Sequence, residues 1–153
     1  MDLMKDLPTV SNLFLDKILN SIAMSQHDLE GKSILYIDDE YVNFLFFSEM
    51  LSGTGAKILR AFNSNQAISY IIGEHQLCLA IVAGSFVRRI NSHIVFQIKN
   101  IEPDLPVVGI VGTDNKESTN NFLQSGCDLY ISSYIDNIHL IEMINELLMI
   151  SDN

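Results

Sequence analysis

Residues 34–40, with the sequence ILYIDDE, indicate the fold of this chain and the edge of the fold where any ligand would bind. Four apolar residues run directly into two adjacent acids, Asp38 and Asp39. This pattern is typical of a buried parallel strand that delivers carboxylates to the carboxyl-end edge of an α/β sheet, where ligands bind. Because no basic residue stands beside them in the sequence, the two acids indicate a bound cation or a shared proton.

The composition is that of a globular chain with enough apolar residues for one core. Of the 153 residues 48% are hydrophobic, and nine Lys and Arg against nineteen Asp and Glu leave a net charge of −10. This charge disfavours contact with nucleic-acid phosphates or an anionic membrane surface. No basic run followed by an apolar core opens the chain, and no apolar run approaches the length of a membrane span. We therefore expect a cytoplasmic protein that binds neither nucleic acid nor membranes.

Residues 1–30 differ in pattern from the α/β domain that we predict over residues 31–153. Ser11 is a suitable N-cap, and apolar residues then recur at helical spacing up to about Ser25. This predicts an N-terminal amphipathic helix followed by a polar connector. The apolar positions of that helix are Val10, Leu13, Phe14, Ile18 and Ile22.

From Gly31 onward, short apolar strands alternate with helical segments. Five strands alternating with five helices predict a doubly wound, five-stranded parallel sheet of flavodoxin-like topology, with Asp38 and Asp39 at a topological switch point. The two cysteines, Cys78 and Cys127, are too few for a disulfide scaffold and are predicted to be buried thiols. The predicted strands cover residues 33–37, 57–61, 77–82, 107–111 and 129–132, and the predicted helices cover 41–51, 64–72, 88–100, 116–125 and 135–149.

Nearly the whole span from Gly31 to Met149 resembles the receiver domain of two-component response regulators. The pieces that carry the resemblance are ILYIDDE with Asn43 close behind, GTGAKILRAFNSNQAI at 53–68, PDLPVVGI at 103–110 and SGCDLYI at 125–131. The resemblance implies a (βα)5 fold. It also implies that a histidine kinase would pass a phosphoryl group to an Asp at the end of the third strand, beside Mg²⁺ held by the acidic pair. A Thr or Ser after the fourth strand and a Lys after the fifth contact the phosphoryl oxygens in that family.

The chain departs from the family at three positions of this site. The family's usual spacing from Asp39 leads to Ala83 instead of the phospho-acceptor Asp, Val111 replaces the hydroxyl residue, and Ser133 replaces the Lys. Aspartyl phosphorylation needs a carboxylate nucleophile, a metal ion and positive charge for the phosphoryl oxygens. We therefore predict a degenerate pseudo-receiver with no catalytic residue and no cofactor, in which Asp38 and Asp39 bind Mg²⁺ weakly or not at all.

The acidic pair and the basic residues nearby leave alternatives open. Asp38 and Asp39 could hold a divalent cation, or they could form a partly solvated pair helped by the N-terminus of the following helix. Arg88 and Arg89 could swing over the acids and replace the positive charge of the metal and the Lys, or they could face solvent. Hydrogen-bonding loop hydroxyls are the favoured interpretation for the serines of this edge, Ser85, Ser132 and Ser133.

Tyr130 occupies the position of the family's switch aromatic residue, three residues before Ser133. In an active receiver this side chain follows the Thr or Ser hydroxyl inward when the phosphoryl group arrives. Val111 cannot make the corresponding hydrogen bond. Tyr130 is therefore either held in one rotamer, where it presents a constant surface, or simply an aromatic residue at a packing position.

The sequence thus predicts recognition and not catalysis. The first hypothesis is a non-catalytic signalling adaptor that binds another protein, whether a histidine kinase, a receiver or an output domain, in a two-component-type pathway. The N-terminal helix would dock on its own domain or pair with a second copy in a homodimer. The alternative is a metal- or anion-binding sensor that switches without aspartyl phosphorylation. A nucleotide-binding enzyme is disfavoured because the glycines form neither a GxGxxG nor a Walker-type loop after the first strand.

Overall fold

A computed structural model of the chain describes Leu15 and residues 29–74, 76–83, 93–112 and 124–151. Five strands form one parallel sheet in the order β2-β1-β3-β4-β5, which is the flavodoxin-like order expected from the sequence. The central strands β1 and β4 are buried along their whole length, as befits strands covered on both faces. The strands are β1 (Ser33–Ile37), β2 (Lys57–Ala61), β3 (Leu77–Ala83), β4 (Val107–Val111) and β5 (Leu129–Ser132).

The described helices follow the strands as predicted for a doubly wound fold. They are α1 (Tyr41–Met50), α2 (Ser64–Gly73), α3 (Ile94–Ile101) and α4 (Asn137–Ser151), and a short 3₁₀ turn, Ser52–Thr54, follows α1. The predicted helix over 116–125 lies outside the described residues except for Gln124 and Ser125, which are helical. The predicted N-terminal helix also lies outside them, apart from Leu15.

Two apolar cores lie on opposite faces of the sheet. One packs α1 and α4 against the sheet and includes Phe47, Leu51, Leu140 and Ile144. The other packs α2 and α3 against the opposite face and includes residues such as Ile71 and Ile98. This division of the helices confirms the doubly wound architecture, and it leaves the two ends of the strands as the open edges of the sheet.

Two predicted helix starts are wrong by a few residues, for reasons visible in the backbone. His93 is the N-cap of α3, with φ −105° and ψ 2°, and its carbonyl oxygen accepts from the amide of Gln97 at 2.9 Å. At the start of α4, the Asp136 carboxylate accepts from the amide of His139 at 2.8 Å, so the helix begins after that cap. Cys78 and Cys127 are free thiols, and they are half-buried instead of buried because they lie near the ends of their strands.

In the described part of the chain, no helix is both long and apolar enough to cross a membrane.

Candidate functional site at the carboxyl-end edge of the sheet

The register of the sheet brings the predicted site positions to one edge. Ile37 is level with Val82 of β3, so Asp38, the next residue, is level with Ala83. Ala83 pairs with Ile110, directly before Val111 on β4. Val111 in turn pairs with Ser132, directly before Ser133. The residues singled out in the sequence therefore lie in one row across β1, β3, β4 and β5.

Asp38 is fully buried and its carboxylate is the centre of a hydrogen-bond network. Its Oδ2 accepts from the Tyr36 hydroxyl at 3.1 Å and from Asn43 Nδ2 at 2.9 Å. Its Oδ1 accepts from the backbone amide of Glu40 at 3.0 Å, at the point where α1 begins. A buried carboxylate needs such partners, because an uncompensated charge in the interior is strongly destabilising. Asp38 thus joins the end of β1 to the start of α1.

Tyr36 is the residue of this network that the sequence analysis missed. It precedes Asp38 by two positions and so points to the same face of the strand. Its ring is buried between two rings of α1, with its centroid 5.1 Å from that of Phe47 and 6.2 Å from that of Phe44. Burial, then the neighbouring charge of Asp38 and the hydrogen bond to it, raise the pKa of the Tyr36 hydroxyl far above its ordinary value. Tyr36 therefore stays protonated and donates to Asp38.

Arg60 on β2 supplies positive charge next to the acids, and it too was missed. Its Nη2 donates to the main-chain carbonyl oxygen of Asp39 at 3.0 Å. Its guanidinium carbon lies 5.0 Å from the centroid of the Tyr41 ring and 5.8 Å from that of the Phe62 ring, within cation–π range. Among the residues that the structure describes, its buried Nε has no hydrogen-bond partner. A cation absent from the neighbouring sequence is thus brought in by the adjacent strand.

The prediction of a partly solvated acidic pair is wrong for Asp38 and right for Asp39. Asp38 is fully buried, whereas Asp39 is half-buried at the surface of the edge. The reason is that successive residues point to opposite sides of a strand and its extension, so only the first acid faces the core between the sheet and α1. The predicted help from the helix N-terminus is present, through the Glu40 amide.

The described residues fit Mg²⁺ poorly. Mg²⁺ prefers octahedral coordination by oxygen, with most positions taken by water or carboxylates that it can reach. Of the roughly four lone-pair sites of a carboxylate, three are already engaged on Asp38 by Tyr36, Asn43 and Glu40. Ala83 adds no side-chain oxygen. Within the described ranges, no three His, Cys, Asp or Glu side chains come close enough together to hold a metal ion.

The far half of the edge consists of small or apolar side chains. Ala83 and Val111 are buried, with 5% and 8% of their surface exposed, and both pack in the core under α2 and α3. Ser133 is half-buried, and its backbone amide donates to the Val111 carbonyl oxygen at 2.9 Å, which continues the β4–β5 ladder. Ser132 Oγ accepts from the amide of Tyr134 at 3.1 Å. The predicted role of Ser132 as a hydrogen-bonding loop hydroxyl agrees with this contact.

Tyr130 lies on β5, level with Gly109 of β4, and 41% of its surface is exposed. It belongs to neither apolar core. Leu129 and Tyr134, on the same edge strand and the turn after it, are also exposed, by 37% and 77%. These three side chains form an apolar and aromatic surface, which we call the β5 surface.

Other predicted site residues lie outside the part of the chain that the structure describes. They are Ser85, Arg88 and Arg89. The two interpretations of the arginines therefore stay predictions, and Arg60 is the cation that the described residues place beside the acids.

Solved response regulator receiver domains share this fold. The chain is similar to a CheY-like receiver domain protein from Methanospirillum hungatei JF-1, with a TM-score of 0.69 and 21% identity over 79% of this chain and 96% of that one. It is similar to a two-component response regulator from Clostridium difficile, with a TM-score of 0.70 and 22% identity over 80% of this chain and 99% of that one. NtrX from Brucella abortus matches at a TM-score of 0.69 and 25% identity, over 78% of this chain and 27% of NtrX.

No protein-family model matches the sequence, and no curated protein matches it. The structural likeness confirms the predicted receiver fold. At 21 and 22% identity a shared fold does not carry a shared activity, which must be argued from the side chains of the site.

Proposed function

We propose that this chain is a pseudo-receiver: a non-catalytic adaptor of a two-component-type signalling pathway that acts by protein–protein interaction without aspartyl phosphorylation. The observation that carries the proposal is Ala83. It is the last residue of β3, level with the residue that follows Ile37, and it presents a buried methyl group in place of a carboxylate nucleophile. Without that nucleophile there is no group to form the acyl phosphate.

The hydrogen bonds of Asp38 support the same proposal. In a phosphorylated receiver the acidic pair would need to turn oxygens toward a metal ion at the surface of the edge. Here three donors hold the Asp38 carboxylate inside the domain. The acid serves to join β1 to α1, so the receiver fold keeps its acid for packing. Mg²⁺ is accordingly proposed to bind weakly or not at all.

The β5 surface supports recognition of a protein partner. Leu129, Tyr130 and Tyr134 are exposed large side chains, and tyrosines are enriched at protein interfaces because they combine an apolar ring with a polar hydroxyl. A partner in such a pathway is a histidine kinase, another receiver or an output domain. Because Val111 has no hydroxyl to draw Tyr130 inward, this surface is proposed to be constant.

An amide NMR titration tests the proposal, with Mg²⁺ added first and beryllofluoride second. In the native chain we expect the signals of Asp38, Ala83, Tyr130 and Ser133 to stay in place, because no carboxylate at position 83 can bind the phosphoryl analogue. The matched control is the triple variant Ala83→Asp, Val111→Thr, Ser133→Lys, which restores the missing groups on the same scaffold and is expected to shift on addition of both ligands.

Saturable shifts of the native Asp38 signal that extend to Tyr130 would refute the pseudo-receiver. They would favour the alternative, a metal- or anion-binding sensor that switches without covalent chemistry.

A further inference from the structure

The outward face of α1 is apolar. Tyr41, Val42, Leu45 and Phe46 are exposed by 53, 72, 48 and 55%, and they lie at helical positions i, i+1, i+4 and i+5. At 3.6 residues per turn these positions fall within one arc of about 140°. We call these four residues the α1 patch.

An apolar outward face is unusual for a helix at the surface of a domain. The inward face of α1 is apolar as well, since Phe47 is buried in the core and Phe44 and Met50 pack against it. A surface helix normally carries polar residues opposite its buried stripe, and a helix that is apolar all round is normally covered on both sides. The sequence YVNFLFFSEM therefore indicates that something packs on the α1 patch.

The chain enters the domain at the C-terminal end of this same helix. Leu29 is 1% exposed and packs in the core that contains Phe47 and Leu51. Its amide donates to the carbonyl oxygen of Thr54 at 3.0 Å. A Cβ at Gly55 would lie only 3.2 Å from the Glu30 backbone, so this entry point is closely packed. Any helix that ends shortly before Leu29 thus starts from a point beside α1.

The segment that precedes this entry point has an apolar stripe of its own. Its residues Val10, Leu13, Phe14, Ile18 and Ile22 recur at helical spacing. Seven residues separate Ile22 from Leu29, and an extended connector of that length reaches up to about 23 Å. The ten residues of α1 are about 15 Å long. The stripe can therefore reach the whole α1 patch and run alongside α1.

We propose that residues 10–22 form a helix that docks on the α1 patch of the same chain. The two surfaces are both apolar, and the short connector holds the segment at an effective concentration in the millimolar range, which favours the contact within one chain over the same contact between two chains. The docked segment lies on the opposite edge of the sheet from the β5 surface. This inference does not depend on the proposed function.

Amide hydrogen exchange of the full chain, followed by mass spectrometry, tests the docking. We expect residues 10–22 to be protected in a monomer, to the same extent from about 1 to about 100 μM protein, because a contact within one chain does not follow mass action. The variant Phe46→Glu places a charge in the α1 patch and is expected to speed exchange of residues 10–22 by about tenfold or more. The matched control is Phe96→Glu on α3, where Phe96 is similarly exposed at 58%, and it should leave residues 10–22 protected.

A second variant approaches the contact from the segment and leaves the domain untouched. Phe14→Glu should also release residues 10–22 and should move the NMR signals of Val42 and Leu45, while the signal of Phe96 stays in place. The docking is refuted if residues 10–22 are unprotected in the native chain, or if Phe46→Glu and Phe14→Glu both leave their protection unchanged. Protection that rises with concentration together with the mass of two chains refutes it in favour of a homodimer.

Discussion

The two ends of the candidate site use their side chains in opposite ways. At the β1 corner, which we define as Tyr36, Asp38, Asn43 and Arg60, charged and polar groups are buried or half-buried and are tied to each other or to the backbone. At the β5 corner, defined as Val111, Ser132 and Ser133, the side chains are small or apolar, and the printed contacts are backbone ladder bonds and one hydroxyl turn.

This difference teaches that an acid at the expected place need not perform the expected chemistry. Asp38 is where a metal-binding acid of a receiver would be, yet its oxygens accept from Tyr36, Asn43 and the Glu40 amide. A buried carboxylate that accepts several hydrogen bonds can stabilise a fold as well as hold an ion. The comparison therefore predicts that substitutions cost stability at the β1 corner and very little at the β5 corner.

The largest effect is expected from Asp38→Ala. It removes the acceptor of the buried Tyr36 hydroxyl and of the Asn43 amide, and leaving such donors unsatisfied should lower the free energy of unfolding by about 3 kcal/mol. Urea unfolding followed by circular dichroism measures this loss.

Ser133→Ala is the matched substitution at the β5 corner. It should change the free energy of unfolding by less than about 0.5 kcal/mol, as for surface positions in general. Equal losses in Asp38→Ala and Ser133→Ala would abolish the contrast between the two corners.

The next effect is a pH dependence due to Tyr36. Its pKa is raised in the folded state by burial and by Asp38, so above the ordinary pKa of tyrosine the unfolded chain releases this proton while the folded chain keeps it. The contribution of Tyr36 to stability is therefore complete below about pH 10 and falls above it, by up to about 1.4 kcal/mol per pH unit. Urea unfolding of the native chain and of Tyr36→Phe across this alkaline range measures the slope.

Tyr36→Phe should be less steeply destabilised by alkali than the native chain, because it has no such proton to lose. Tyr134→Phe is the control, since Tyr134 is 77% exposed. It should keep the native slope. If the slopes of all three chains coincide, the Tyr36 hydroxyl is not buried against a charge.

The smallest effect concerns the cap of α4, just beyond the β5 corner. Asp136 accepts from the His139 amide, and this hydrogen bond is the main cause that lowers the pKa of its carboxyl group. Asp136→Ala should lower the free energy of unfolding by about 1 kcal/mol at neutral pH, the usual loss for an N-cap. The lowered pKa means that this stability is present above the ordinary carboxyl range and is lost as the pH falls through the folded pKa.

Asp136→Asn separates the cap from the charge. Asparagine is as good an N-cap as aspartate, so this variant should stay close to the native stability at neutral pH and should lack its acid dependence at this position. A loss in Asp136→Asn as large as in Asp136→Ala would mean that the charge, and not the cap geometry, stabilises α4.

The strands and their order could be predicted because this sheet is buried on both faces. Four of the five strands, β1, β2, β4 and β5, have the predicted bounds, and β3 extends one residue further, to Ala83. Short apolar runs bounded by polar residues are a strong local signal. Helix starts were less accurate, because a cap such as Asp136 depends on one hydrogen bond and not on a periodic pattern.

The β1 corner could be predicted only in part. The position of Asp38 follows from the pattern of the strand, and Tyr36 could have been found from its separation of two residues, which places both on the same face. Arg60 could not. It lies 21 residues from Asp39 in the sequence and meets it only because β2 pairs with β1 in the sheet.

The sequence by itself determined that the chain folds as a parallel α/β sheet and that the residues at positions 83, 111 and 133 are Ala, Val and Ser. These are properties of residue type and of local apolar pattern, which need no tertiary contact to be read. Only the tertiary structure decided that Asp38 is buried and bonded within the chain, and that Arg60 lies beside Asp39. The physical reason is that side-chain partners in a parallel sheet come from strands and helices far apart in the chain, and their register is set when the whole domain packs.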